Sequence, residues 1–175
     1  KKSKARTLYS NGFSTATVSN SIGGSAYMQA MGFIPMALHP NPKKAMVICF
    51  GTGNTTGTVS LFPGVQVDSV EIDKNIISLA HHFSKWNHNA QRKKNVQMHI
   101  QDGRTFTRWS KNNYDVITLE PMSPIQAGTV NLYSREFYQL AANRLNENGI
   151  MMQWLPLHLV GKDDAKSILK TFQKV

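Results

Sequence analysis

The sequence predicts an α/β fold with a Rossmann-like, doubly wound, mostly parallel sheet. Three observations carry that expectation. Short apolar runs of strand length alternate with helical patterns from residue 45 onward, the signature of repeated βαβ units. Several of those runs, such as "AMVICF" and "IMM", are continuously apolar, as strands covered on both faces are. The first run leads directly into "GTGNTTG", where three glycines follow a buried strand.

The elements follow in order. Residues 5–35 are rich in Ser, Thr, Gly and Asn, and pieces such as "TLYS" and "TATVS" predict a small β lead-in. "SAYMQAMGFIPMAL" reads as a helix that "HPNP" (39–42) ends. Strands are expected at 45–50, 65–72, 95–101, 114–120 and 150–157. Helices are expected from the glycine turn to about Phe62, over 74–89, from Gly103 to Ser110, over 134–149 and from Lys162 onward. The expected division is residues 1–35 as the lead-in with the first helix and 36–175 as the α/β domain.

Composition narrows the classes of function. The 175 residues suffice for one domain with a real core, at 41% hydrophobic and 17% charged. No apolar run is long enough to span a membrane, and no apolar segment stands behind the initial "KKSKAR" to make a secretory signal. The one cysteine, Cys49, excludes an internal disulfide and points to a reducing, cytoplasmic setting; it reads as a small buried hydrophobe. The net charge of +10 is scattered along the chain with no aromatic-interleaved basic stripe, so nucleic acid is not the expected partner. His81, His82 and His88 are placed on one helix without a Cys or carboxylate to complete a ligand set, and no metal is expected. Met28, Met31, Met36, Met151 and Met152 read as core filling, and Trp154 as the edge of the core.

In open parallel sheets, ligands bind beyond the carboxyl ends of the strands. That rule turns sequence positions into one place. Gly51, Thr52 and Gly53 end the first strand of the repeat, where glycine admits positive φ and clears side chains from the backbone. The spacing Gly51-x-Gly53-x-x-x-Gly57 misses the dinucleotide fingerprint by one residue and lacks the Lys-Ser/Thr of a phosphate loop. Glu71 ends the second strand, twenty residues after Gly51, the usual distance for an acid that accepts from ribose hydroxyls. Asp73 follows it, as a nucleoside contact or as the cap of the next helix. Asp102 and Gly103 end the third strand, and Glu120 the fourth; Asp115 is counted among the acids of the same rim. Acids and a glycine turn at successive strand ends predict an adenosine-type ligand.

Quoted together, "GTG", "VEID", "DGR", "YDVI", "LYSREFY" and "GIMMQW" resemble the spermidine synthase family, whose members share the class I methyltransferase fold. The resemblance covers roughly residues 25–175 and is strongest toward bacterial domains fused to membrane segments. It implies binding of decarboxylated S-adenosylmethionine as co-substrate and transfer of its aminopropyl group to a small amine. By the same resemblance Glu71 holds the ribose and Asp102 the adenine region. Glu120 takes the place of a catalytic aspartate, with Tyr27 as its helper, and Ser123 stands in "EPMSP" where a second, amine-holding acid is expected. Cys49 replaces a family glycine, and Met28-Gln29 replace a His-Glu pair. The fold would continue into two further strands, so a sheet edge is expected to be open and to invite a homodimer. Two other readings stand beside this one. The first is a methyltransferase using intact S-adenosylmethionine; the second is a non-catalytic nucleoside-binding domain of a membrane protein.

Overall fold

The computed structural model describes residues 5–20 and 25–175. The lead-in is an antiparallel hairpin of β1 (Arg6–Ser10) and β2 (Phe13–Val18). Asn11 and Gly12 connect them, both at positive φ (51° and 81°), as the tight turn matching strand twist requires. The remaining strands are β3 (Lys44–Ile48), β4 (Gln66–Glu71), β5 (Val96–Ile100), β6 (Tyr114–Leu119) and β7 (Leu145–Gln153). They form one parallel sheet in the order β5-β4-β3-β6-β7. The chain steps outward from β3 in both directions, so the switch point lies between β3 and β6.

Helices cover both faces. Helices α1 (Ala26–Leu38) and α2 (Asn54–Val59) lie on one face, over Ala45, Val47, Val67 and Val116. On the other, α5 (Gly103–Trp109) and α6 (Arg135–Ala142) bury Phe106, Phe137 and Tyr138 against Met46, Ile48 and Ile117. Helix α7 (Lys162–Gln173) joins this layer through Phe172, edge-on to Tyr138 at 5.0 Å. The hairpin is part of the same body, since Leu8 and Val18 pack with Met28, Phe50, Phe83 and Trp86. Helix α1 runs across residues 35–36. Its Pro35 has no N–H to offer the Met31 carbonyl, and the Thr118 hydroxyl of β6 donates there instead at 2.9 Å. A proline inside a buried helix is thereby satisfied by the sheet. Among the described residues no helix is long and apolar enough to cross a membrane.

Two expected helices end differently. The pattern over 74–89 is split into α3 (Lys74–Leu79), a 3₁₀ turn (Ala80–Phe83) and α4 (Ser84–Asn87). The side chain of Asn87, fully buried, donates to the carbonyls of Ala80 (2.9 Å) and Thr52 (3.0 Å), tying the segment to the glycine turn. His88 therefore lies past the helix, at φ 54°, and not on one helix with His81 and His82. The helix expected over 134–149 stops at Ala142, and β7 begins at Leu145. The Arg144 carbonyl accepts from Tyr114 N, and Asn146 donates to Asp115 at 2.7 Å, so "LNENG" pairs as a bulged start of β7.

Candidate active site

The strand ends surround one cavity of about 520 Å³, lined from β1–β2 through the loop after β6 to Trp154. Its floor is the glycine turn. Cys49 and Gly51 sit at positive φ (69° and 54°), and a Cβ on Gly51 would meet only open space. Gly53 (φ 82°) has its place because a Cβ there would lie 2.5 Å from the Phe50 ring. Thr52 is buried, with its hydroxyl directed at the Met28 sulfur. The backbone at Gly51 is thus bare toward the cavity, and the turn below it is packed.

Glu71 is 8% exposed, and backbone N–H groups orient it: Gly51 N donates to Oε2 at 3.3 Å and Asp73 N to Oε1 at 3.1 Å. Each oxygen keeps acceptor capacity for a ligand. Burial raises its pKa above the ordinary carboxylate value, and those N–H donors work against the rise. Asp73 caps α3 by accepting from Asn75 N at 2.8 Å, while also lining the cavity. Asp102 caps α5 by accepting from Thr105 N at 2.8 Å. Gly103 behind it is forced, since a Cβ would stand 2.4 Å from Ile48.

Glu120 closes the other end. Burial pushes its carboxyl up to about 7, and a hydrogen bond from Thr55 offsets part of that rise. Tyr27, 39% exposed, lies close enough to Glu120 for that charge to add to burial in raising the phenol to about 12. Burial, followed by the charges of Glu71, Glu120 and Asp102, holds the Cys49 thiol protonated, so it is not a nucleophile here.

The structure brings Tyr27, Gly51, Thr52, Glu71, Asp73, Asp102, Gly103 and Glu120 to one wall. It does not bring Gly53, whose α-carbon faces the Phe50 ring behind the turn, nor Ser123. Ser123 is 4% exposed, off the cavity wall, and its hydroxyl has no partner. Asp115 is a correction of a different kind. It stands at the amino end of β6, accepting from Lys43 N and Lys44 N, on the opposite side of the sheet from the cavity. Thr55 and Trp154 are among the wall residues that escaped the sequence reading. Thr55 was hidden inside the α2 pattern. Trp154, expected at the core edge, follows β7 directly, so the strand-end rule could have found it; it stacks on Tyr27 at 5.7 Å and 29°.

A spermine/spermidine synthase domain matches residues 24–175. A polyamine aminopropyltransferase of Lachnoclostridium phytofermentans is 29% identical over 127 residues, 72% of this chain and 44% of that protein. The Streptococcus pneumoniae polyamine aminopropyltransferase is 32% identical over the same shares. The chain thus spans under half the length of the curated relatives it matches. A spermidine synthase solved with the transition-state analogue AdoDATO superposes with a TM-score of 0.79 at 26% identity, covering 90% of this chain and 55% of that one. The Thermotoga maritima spermidine synthase gives 0.76, also at 26%, covering 91% and 54%. A human methyltransferase-like protein 13, at 14% identity and a TM-score of 0.53, shares the fold. With residues 24–175 of its 175 matched by that domain, this chain belongs to the spermine/spermidine synthase family.

Proposed function

We propose that this chain binds decarboxylated S-adenosylmethionine as co-substrate and passes its aminopropyl group to a small primary amine. The observation that carries the reading is the charge of the cavity wall. Glu71, Asp73, Asp102 and Glu120 line it, and no Lys, Arg or His does among the described residues. The cationic aminopropyl tail suits such a wall, whereas the carboxylate of intact S-adenosylmethionine would face acids with no cation beside it. That is what disfavours the methyltransferase reading.

In this reading Glu71 accepts from the ribose hydroxyls, with its oxygens held by Gly51 N and Asp73 N. Asp102 and Gly103 border the adenine, Gly51 and Thr52 let the ligand approach the backbone, and Gly53 keeps the turn behind them packed on Phe50. The acceptor nitrogen attacks the carbon beside the sulfonium, the carbon–sulfur bond breaks, and methylthioadenosine leaves. The amine must first be neutral, although its solution pKa is close to that of Lys, about 10.4. A carboxyl near 7 is a closer match to that proton than an ordinary glutamate, so Glu120 is the assigned base, with Tyr27 beside it. Such a base typically contributes about 10²–10⁴-fold, and holding both substrates in line supplies the rest.

Calorimetry with three ligands tests the reading. Decarboxylated S-adenosylmethionine and methylthioadenosine are expected to bind, and intact S-adenosylmethionine at least about tenfold more weakly. Equal or tighter binding of the intact form would favour a methyltransferase.

A further inference from the structure

On the sheet face that carries α5 and α6, the two helices leave a cleft of about 470 Å³ between them, which shares no residue with the strand-end cavity. Arg104 and Arg108 line it from α5, and Arg135, Glu136 and Leu140 from α6. Arg104 and Arg108 stand four positions apart on α5, a spacing that puts both side chains on one face of that helix. Both walls come from the stretch between residues 104 and 143, so every residue that builds the cleft is described.

Three guanidiniums and one carboxylate leave this cleft with a surplus of two positive charges. None of the three has a hydrogen-bond or ion-pair partner among the described residues, although Glu136 follows Arg135 directly. Packing does not require them either. Arg108 and Arg135 are exposed, and Phe106 and Phe137 beneath them hold the two helices on the sheet. The neighbouring Arg144 shows the contrast. Its Nε donates to the Thr107 carbonyl at 3.1 Å and its Nη2 to the Arg108 carbonyl at 2.9 Å, closing the carboxyl end of α5. Arg104 and Arg135 also stand in the first turns of their helices, where the helix dipole favours acids. Like charges gathered at disfavoured positions are the kind of local conflict that functional sites carry.

We infer that this cleft binds a small free oxyanion with several negative charges, a polyphosphate or a polycarboxylate. The planar guanidinium fork matches the paired oxygens of phosphoryl and carboxylate groups. Forks presented by two helices can hold such an anion from both sides, whereas an anion of lower charge engages only part of them. The volume lies within the range of small-ligand pockets, about 300–1,000 Å³. A nucleic-acid strand would instead need a basic track extended along its backbone.

Calorimetry at an ionic strength of about 0.15 M tests this, since exposed charges more than about 8 Å apart are largely screened there. Pyrophosphate, citrate or both should bind once per chain and at least about tenfold more tightly than sulfate; the tighter of the two tells phosphoryl from carboxylate chemistry. Arg104→Gln, Arg108→Gln and Arg135→Gln should each weaken that binding at least about fivefold, with the melting temperature of the free protein unchanged. Arg108→Lys should recover only part of the loss, because an ammonium keeps the charge without the fork. Lys170→Gln, at an exposed position of α7, removes the same charge elsewhere and should leave the affinity alone. An equal loss in Lys170→Gln would reduce the effect to net charge and overturn the inference. Displacement of the anion by methylthioadenosine, or no binding tighter than that of sulfate, would overturn it as well. A short single-stranded oligonucleotide held more tightly than either anion through the same arginines would make the cleft a nucleic-acid contact, and would equally overturn it.

Discussion

Thr55 and Glu120 meet across the cavity floor, and the Thr55 hydroxyl faces two acceptors with one proton. Its oxygen lies 2.8 Å from the Met28 carbonyl and also contacts the Glu120 carboxyl. When Glu120 is ionised, the hydroxyl must turn toward it and release the carbonyl. When Glu120 is protonated, the carboxyl donates to Thr55 and Thr55 donates to Met28. The charge of the assigned base is thus tied to the orientation of one side chain.

Activity should therefore rise with pH through about 7, where Glu120 ionises. The Thr55 hydrogen bond favours the carboxylate, so Thr55→Val should move that limb to higher pH. Glu120→Gln should remove turnover, because an amide cannot take the proton. Methylthioadenosine release measured from pH 5.5 to 9 checks all three expectations. An unshifted limb in Thr55→Val would disconnect the pair.

The same group makes a stability prediction. Its folded pKa is raised from 4.5 to about 7, so stability is fully present below 4.5 and declines as pH rises through about 7. The decline amounts to at most roughly 3 kcal/mol, at 1.36 kcal/mol for each unit of pKa. Glu120→Gln should flatten that limb in denaturant titrations at several pH values, leaving the variant more stable than the parent protein above pH 7.

The nucleoside end gives its own test. Glu71→Ala and Asp102→Ala should each weaken methylthioadenosine binding by about 1.5–3 kcal/mol, the worth of a hydrogen bond to a charged group. Asp102 also caps α5, so Asp102→Ala carries a second cost in stability. Asp102→Asn keeps a capping oxygen and should restore the melting temperature without restoring affinity. If affinity returns with the cap, Asp102 acts through α5 and not on the ligand.

Local signals made the strand rim legible in the sequence. Continuous apolar runs marked β3 and β6, and a single rule about strand ends then gathered Glu71, Asp102 and Glu120 onto one wall. What escaped depended on contacts between distant segments. The break of 74–89 is made by Asn87 reaching Thr52, a partner 35 positions away that no helical period encodes. "LNENG" completed an amphipathic pattern, yet it pairs with β6 because Asn146 and Arg144 find partners there. Asp115 was misplaced for a simpler reason. It is the second residue of β6 and not the last, and strand direction puts those two positions on opposite edges of the sheet.

The contact between Gly57 and Asn87 shapes the floor of the site from behind. A Cβ on Gly57 would stand 2.3 Å from the Asn87 carbonyl oxygen and 2.7 Å from its carbon, both backbone atoms that cannot swing aside. Asn87 in turn holds the Thr52 carbonyl of the glycine turn. Gly57→Ala must therefore push α2 away from Asn87 or move Asn87 and with it the turn. Overpacking of this kind costs typically 1–3 kcal/mol, so a melting-temperature loss is expected. Gly161→Ala is the control. Its φ is −65°, and its nearest neighbour is the Asp164 side chain at 3.3 Å, so it should be close to neutral. Because the strain reaches Thr52, Gly57→Ala should also weaken methylthioadenosine binding at temperatures where it remains folded. A variant that loses stability yet binds the nucleoside like the parent protein would show that α2, not the turn, yields to the added methyl group.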